Sequence, residues 1–183
     1  ALPAHTGQTV LDAGAGVGAV ALCLAKRVAG VKVYGLEIQI DLSQLATENA
    51  AANDLGDRVH ILCGDIQKPP EEISRDVFDH TACNPPFYGI GRASVSPDPS
   101  KATAHSEGDT PLSQWLAFCL RRTRPGGTVT MIHRTDRLDE ILTEWKDGAG
   151  DITIVPLWSK PKQPARRVIV QAKVGSNGPI VLH

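Results

Sequence analysis

The sequence predicts an α/β fold, a doubly wound and mostly parallel sheet of about seven strands that ends in an antiparallel C-terminal strand hairpin. Three observations predict it. Short apolar runs alternate with amphipathic helical stretches along most of the chain. The runs are near-continuous rather than alternating in polarity, as in strands covered on both faces. The last two β-rich runs have no helix between them, so they must pair antiparallel at one edge.

The elements follow in order. Thr9-Val10-Leu11-Asp12-Ala13 reads as a buried strand, Gly14 to Gly18 as a glycine turn and Ala19 to Val28 as an apolar helix. Val31 to Leu36 is the second strand. Asp41 is the expected N-cap of a helix with Leu42, Leu45, Ala46 and Asn49 on one face, closed by Asn53 and Gly56. Arg58 to Cys63 and Val77 to Cys83 are strands three and four. Pro111 starts a helix carrying Leu112, Trp115, Leu116, Cys119 and Leu120 on one face. Pro125-Gly126-Gly127 then turns into strand five, Thr128 to His133. Asp136 is expected to cap a helix through Leu138, Ile141, Leu142 and Trp145. Ile152 to Trp158 and Arg167 to Val174 form the closing hairpin, separated by Lys160-Pro161-Lys162-Gln163-Pro164.

Composition bounds the function. A chain of 183 residues, 42% hydrophobic and 21% charged, is the size of one domain with a substantial core. It begins at Ala1, close to the first strand, and is expected to lack an N-terminal element. No apolar run approaches the ~20 residues of a membrane span, and nothing before Thr9 resembles a signal peptide, so a soluble cytoplasmic protein is expected. Cys23, Cys63, Cys83 and Cys119 form no C-x-x-C pair and are read as reduced, packed thiols, with no metal site. The net charge of -1 hides an asymmetry. Residues 1–91 hold 6 Lys and Arg against 11 Asp and Glu, and residues 92–183 hold 13 against 9. From Ile152 to His183 there are five cations, Lys160, Lys162, Arg166, Arg167 and Lys173, and no acid. This basic edge fits a solvated surface or a nucleic-acid contact.

The chemistry is concentrated at strand ends. Gly14-Ala15-Gly16-Val17-Gly18-Ala19 satisfies both G-x-G-x-G and G-x-G-x-x-A between a strand and a helix, where glycines let the backbone turn sharply and approach a nucleotide. Glu37 ends strand two, placed to accept both hydroxyls of an adenosine ribose. These features alone leave an NAD(P)-dependent oxidoreductase open. Asp12 favours another ligand. A carboxylate two residues before Gly14 opposes a pyrophosphate but suits the ammonium and sulfonium of S-adenosyl-L-methionine. Asp65 follows strand three and can accept the adenine amino group, with Ile38 and Ile66 on either side of the ring.

Strand four runs into Asn84-Pro85-Pro86-Phe87-Tyr88, beside the transferable methyl if the first three strands hold the donor. An exocyclic amine is a poor nucleophile because its lone pair is delocalised. The Asn84 side-chain oxygen and the Pro85 carbonyl can each accept one N–H, favouring a pyramidal nitrogen. Pro86 restrains the residue before it to extended geometry, and Phe87 offers a face on which a planar base can stack. The stretch from Tyr88 to Pro111, rich in Gly, Pro and Ser, is expected to be a long loop or lid, with Arg92, Lys101 and His105 as loop cations. His133 and Arg134 end strand five near the same rim.

With D-x-G-x-G-x-G at Asp12 to Gly18, Glu37, Asp65 and N-P-P-F at Asn84 to Phe87, the chain resembles the class I amino-methyltransferases and, among them, the small methyltransferase group. It is similar to the bacterial tRNA(Val) adenine-N6 methyltransferase family, a resemblance that extends to Pro125-Gly126-Gly127, Ile132-His133-Arg134 and Pro164 to Val168. The resemblance implies a Rossmann-like S-adenosylmethionine-dependent methyltransferase domain over residues 1–183, with the loop at 88–111 inside it. It implies S-adenosyl-L-methionine as cofactor, tRNA or another RNA as partner and adenine N6 as acceptor. Asn84, Pro85, Pro86 and Phe87 would carry catalysis, and Asp12, Gly14, Gly16, Gly18, Glu37, Ile38, Asp65, Ile66 and Asn84 would hold the cofactor. A protein glutamine or guanine N2 of rRNA would use the same residue roles, so these acceptors stay open. A donor-binding scaffold without catalysis and an NAD(P)-dependent oxidoreductase are the readings from other classes.

Overall fold

A computed structural model of the chain describes residues 2–75, 77–86 and 110–183. In chain order the elements are β1 (Thr9–Ala13), α1 (Ala19–Arg27), β2 (Lys32–Glu37), α2 (Ile40–Ala52), β3 (Val59–Cys63), α3 (Glu71–Arg75) and β4 (Phe78–Cys83). There follow α4 (Leu112–Arg122), β5 (Thr123–Arg134), a 3₁₀ turn (Thr135–Arg137), α5 (Leu138–Trp145), β6 (Ala149–Leu157), β7 (Arg167–Val174) and β8 (Val181–Leu182).

The strands form one sheet in the order β3-β2-β1-β4-β5-β7-β6-β8. Strands β1 to β5 are parallel, and β7 runs antiparallel to both β5 and β6. The expected hairpin is therefore present, inserted so that β7 rather than β6 lies beside β5. The two-residue β8 adds a strand beyond the expected seven and covers part of the β6 edge. The chain leaves β1 towards β2 on one side and leaves β4 towards β5 on the other, which opens a crevice above the carboxyl ends of β1 and β4. Register aligns those ends: Ala13 pairs with Leu36 and Cys83, and Glu37 pairs with Cys63.

Alternation along the strands feeds two cores. On one face Val10, Val33 and Val59 pack with Ala21, Leu24 and Ala25 of α1 and Ala50 of α2. On the other, Leu11, Leu36, Phe78, Val129 and Met131 pack with Ile73, Leu116, Ile141 and Trp145 of α3 to α5. The Arg58 guanidinium donates to the Ala25 and Val28 carbonyls at 2.8 and 3.3 Å, which satisfies the C-terminal end of α1. Among the described residues no helix is long and apolar enough to cross a membrane.

Several local expectations are corrected. Gln39, not Asp41, is the N-cap of α2, and Asp41 sits in the first turn, where a carboxylate still favours the positive helix end. The buried face of α2 is Ser43, Ala46 and Ala50, while Leu45 is exposed, because α2 approaches the sheet closely through small side chains. Pro125-Gly126-Gly127 lies within β5 as a register break opposite β4 rather than as a turn before it. A Cβ at Gly127 would lie 2.3 Å from the Asp79 carbonyl oxygen, so only glycine fits this close strand approach. Asp136 does not cap α5; it pairs with Arg134, and the helix is entered through the 3₁₀ turn. The short α3, entered from Pro69-Pro70, has too few residues for a helical period to show in the sequence. Of the cysteines expected to be packed, Cys83 and Cys119 are buried and Cys23 and Cys63 are exposed; all four are free thiols.

Trp145 closes the second core and is fully buried. Trp145→Ala is expected to lower the unfolding free energy by about 3–5 kcal/mol in urea denaturation. Trp145→Phe should cost much less, since it keeps a ring and removes a buried indole N–H that has no partner among the described residues.

Candidate functional site

The glycine turn is built by left-handed backbone. Gly14, Gly16 and Gly18 have φ of 75, 56 and 84°, values that favour glycine at each position. The Gly14 and Ala15 N–H groups donate to the Leu36 carbonyl at 2.8 and 3.0 Å, tying the turn to β2. The Asn49 side-chain amide of α2 donates to the Val17 carbonyl at 3.0 Å. A Cβ at Gly16 would meet nothing within 4 Å, so this backbone faces open space, whereas one at Gly14 would lie 3.1 Å from Cη2 of Trp115.

That space is a cleft of about 280 Å³, near the lower end of the ~300–1,000 Å³ of small-molecule sites. Gly14, Gly16, Leu36, Glu37, Ile38 and Gln39 form one side of its lining, with Leu42 of α2. Gly64, Asp65 and Ile66 after β3, Asn84 and Pro86 after β4, and Thr110 and Trp115 complete it. The topology thus brings together the ends of β1 to β4, as the sequence predicts. Of the candidate residues, Gly14, Gly16, Glu37, Ile38, Asp65, Ile66, Asn84 and Pro86 line this one cleft. Pro85 is buried between the exposed Asn84 and Pro86. Gly18 stands back from the cleft and packs on α2, where a Cβ would lie 3.3 Å from that of Ala46. Phe87, Arg92, Lys101 and His105 lie outside the described residues, as does the expected loop apart from Thr110 and Pro111.

The acids differ in surroundings. Glu37 is 5% exposed and accepts from the Gly16 N–H at 2.8 Å through Oε2 and from the Gln39 N–H at 3.0 Å through Oε1. Asp65 accepts from the Gln67 N–H at 2.9 Å, and the Gln67 side chain donates to Thr110 Oγ1 at 2.9 Å, linking the β3 loop to the start of α4. Asp12 departs from the expectation that it would face the ligand beside the other two. It is 3% exposed and lies beneath the glycine turn rather than in the cleft wall. Burial pushes its carboxyl up to about 7, against the pull of the Ala21 backbone N–H at the start of α1, and the Glu37 charge pushes in the same direction as burial. Its Oδ2 has no hydrogen-bond partner among the described residues.

Beneath Asn84, burial raises the Cys83 thiol well above its ordinary range, and the adjacent Cys119 thiol adds to the effect. His133, expected at the rim, is 2% exposed, and burial lowers its pKa, with Arg137 acting in the same direction. Among the described residues no cluster of His, Cys, Asp and Glu is arranged to hold a metal.

Sequence reasoning missed Leu36, Gln39, Leu42, Gly64, Thr110 and Trp115 as lining residues. Trp115 reads as one more apolar position on the face of α4. Its approach to Gly14 depends on how α4 crosses the end of β1, which no local pattern encodes. Its indole N–H is buried without a partner among the described residues.

Comparison with known proteins places these features in context. Residues 1–96 match the family model described as the methyltransferase small domain. A Porphyromonas gingivalis protein named tRNA1(Val) (adenine(37)-N6)-methyltransferase is 34% identical over 137 residues, covering 73% of this chain. The chain spans about half of that relative, 52% of its length. An Aeromonas hydrophila protein of the same name is 30% identical over 187 residues, covering 99% of this chain and 77% of that protein. Among solved structures, one described as a predicted O-methyltransferase from Agrobacterium tumefaciens superposes with a TM-score of 0.77 over 99% of this chain and 80% of its own. At 20% identity this likeness shows the fold, a Rossmann-like sheet with an antiparallel end.

The Asp12 environment gives a pH dependence. Its carboxyl moves from 3.8 in the unfolded chain to about 7 in the fold, so the folded state binds more protons between those values. Stability of the ligand-free chain therefore falls as pH rises from about 4 to about 7. Asp12→Asn removes this contribution. Urea unfolding across that range is expected to shift the stability difference towards the variant, by at most about 4 kcal/mol. A difference that does not change with pH would mean that Asp12 is ionised throughout.

Proposed function

The chain belongs to the methyltransferase small-domain family, and on that premise we propose that it transfers a methyl group from S-adenosyl-L-methionine to an exocyclic amino group, adenine N6 in tRNA. The observation that carries this reading is that one cleft joins the glycine turn, Glu37 and Asp65 to Asn84 and Pro86. A donor-binding half and an amine-binding half open into the same space. The names of the Porphyromonas and Aeromonas relatives supply the adenine and the tRNA. We place the activity in a single domain over residues 1–183, in the cytoplasm, with RNA as partner.

The residues fit the cofactor. Gly16 leaves its backbone open to the cleft, and Asp12, two residues before Gly14, has a buried, unpartnered Oδ2. Each Glu37 oxygen spends one lone pair on a backbone N–H and keeps another, so the carboxylate can also accept two ribose hydroxyls. Ile38 and Ile66 offer apolar walls to an adenine ring, and Asp65 can accept its amino group. Gly14 and Gly18 keep the turn and the start of α1 in place. Bound there, the cofactor supplies an electrophilic methyl on a sulfonium. The cation would restore the Asp12 charge that burial suppresses, because opposite charge lowers a carboxyl pKa.

On the acceptor side, the Asn84 side-chain oxygen and the Pro85 carbonyl accept the two N–H bonds, drawing the nitrogen lone pair out of conjugation and towards the methyl carbon. Pro85 is buried between the exposed Asn84 and Pro86, and the two proline rings restrain the backbone that carries that carbonyl. Phe87 would stack on the base. The bound donor would supply the methyl carbon on a sulfur that can leave with the electron pair, while Asn84 and Pro85 would hold the acceptor nitrogen in line and water would take its proton. No side chain need act as a base beforehand, so alignment supplies most of the acceleration.

Incubation with methyl-labelled cofactor and separate pools of tRNA, rRNA, DNA and protein tests this reading. Label is expected in tRNA, released on digestion as N6-methyladenosine. Label confined to protein glutamine or to guanine would move the acceptor to one of those classes. Asn84→Ala is expected to lower kcat by roughly 10²–10³ while changing cofactor affinity far less. A variant as fast as the wild type would remove Asn84 from the mechanism.

A further inference from the structure

The basic C-terminal edge lies at the same end of the sheet as the cleft. β5 is parallel to β4, β7 is antiparallel to β5, and β6 is antiparallel to β7. The end of β6 and the start of β7 therefore emerge beside the carboxyl ends of β4 and β5, and Arg134 pairs with Arg167, which pairs with Leu157. The connecting segment, 158–166, begins with Trp158 and carries Lys160, Lys162 and Arg166, all exposed. Trp158 is 62% exposed and is the one exposed Trp, Tyr or Phe among the described residues. An indole left in water at this place has no packing role to explain it.

The segment is held rather than trailing. The Thr135 N–H donates to the Arg166 carbonyl at 3.1 Å and the Thr135 hydroxyl to the Ala165 carbonyl at 3.0 Å, so its end is fastened to the end of β5. Lys162 has a φ of 61°, a left-handed turn that side-chain-bearing residues seldom adopt. The neighbouring acids, Asp136 and Glu140, are paired with Arg134 and Arg137. No acid occurs from Ile152 to His183. The segment thus combines an aromatic face with cations that have no acidic neighbour in sequence, the combination that binds single-stranded nucleic acid.

Resting on the RNA reading above, we propose that the 158–166 segment is a docking surface for an unpaired stretch of the RNA substrate, with Trp158 stacked on a base and Lys160, Lys162 and Arg166 facing phosphates. Three strand spacings separate β4 from β6. With the few residues by which Trp158 overshoots Cys83 in register, this places the indole on the order of 20 Å from Asn84. A few nucleotides of extended RNA span that distance. The surface binds RNA flanking the target base, and the cleft takes the base itself.

The test uses the whole chain and a fluorescein-labelled stem–loop RNA with an adenine-containing loop. Trp158→Ala is expected to weaken RNA binding in fluorescence anisotropy by about tenfold and to raise KM for RNA similarly with little change in kcat. Trp158→Phe, which keeps a stacking face, should recover most of the loss. Replacing Lys160 and Lys162 together by Ala should reduce the slope of log affinity against log salt by about 1.4. S-adenosylmethionine affinity, measured calorimetrically on each variant, should equal that of the wild type. If the wild type methylates RNA and the variants keep its KM and salt slope, the docking surface is overturned and the proposed function stands. If the wild type methylates only DNA or protein, both are overturned.

Discussion

The Glu37 carboxylate is the joint on which the site depends. It ends β2, is nearly buried, and takes the Gly16 and Gln39 N–H groups on its two oxygens. Those two bonds fix the glycine turn after β1 relative to the start of α2, so the donor half of the cleft has one shape before any ligand arrives. The same charge helps to raise the Asp12 carboxyl, already raised by burial beneath the turn. Two acids so placed, one held by backbone and one desolvated, make a region that gains from a cation. This is the physical basis for preferring a sulfonium nucleoside to a pyrophosphate in our proposal.

Much of this was legible in the sequence because it is local. β1 begins and ends at Thr9 and Ala13, as its apolar run predicts, and the strand–glycine–helix order is enough to place Gly14 to Gly18. The crevice follows from alternation of strands and helices together with the rule for strand ends. What the sequence concealed is set across the fold. Asp12 looks like a ligand contact because it precedes the glycines, but strand alternation and the packing of α1 turn it inward. Trp115 looks like core because its spacing is helical, and only the path of α4 brings it to Gly14. The caps expected at Asp41 and Asp136 fail for a related reason. Both acids lie close to helix starts, but the backbone turns at Gln39 and through Thr135 to Arg137, where tertiary pairing decides the entry.

The sheet also separates two tasks. Its parallel half carries the cleft through strand ends and loops, while its antiparallel end is built from long strands, β5, β7 and β6, that share seven register pairs at each interface. That end contributes no lining residue to the cleft. It supplies core through Val168, Val170 and Ala172, and it presents the basic segment at the same end of the sheet as the cleft. Acidic donor site and basic rim thus reflect the charge asymmetry between the two halves of the sequence.

Selection of a cationic nucleoside by the cleft can be measured by calorimetric titration of the chain with S-adenosyl-L-methionine and, separately, with NAD⁺. Saturable binding of S-adenosyl-L-methionine is expected, tightening as pH rises through about 7 while Asp12 ionises, with no comparable binding of NAD⁺. Binding of NAD⁺ as tight as that of S-adenosyl-L-methionine would contradict it.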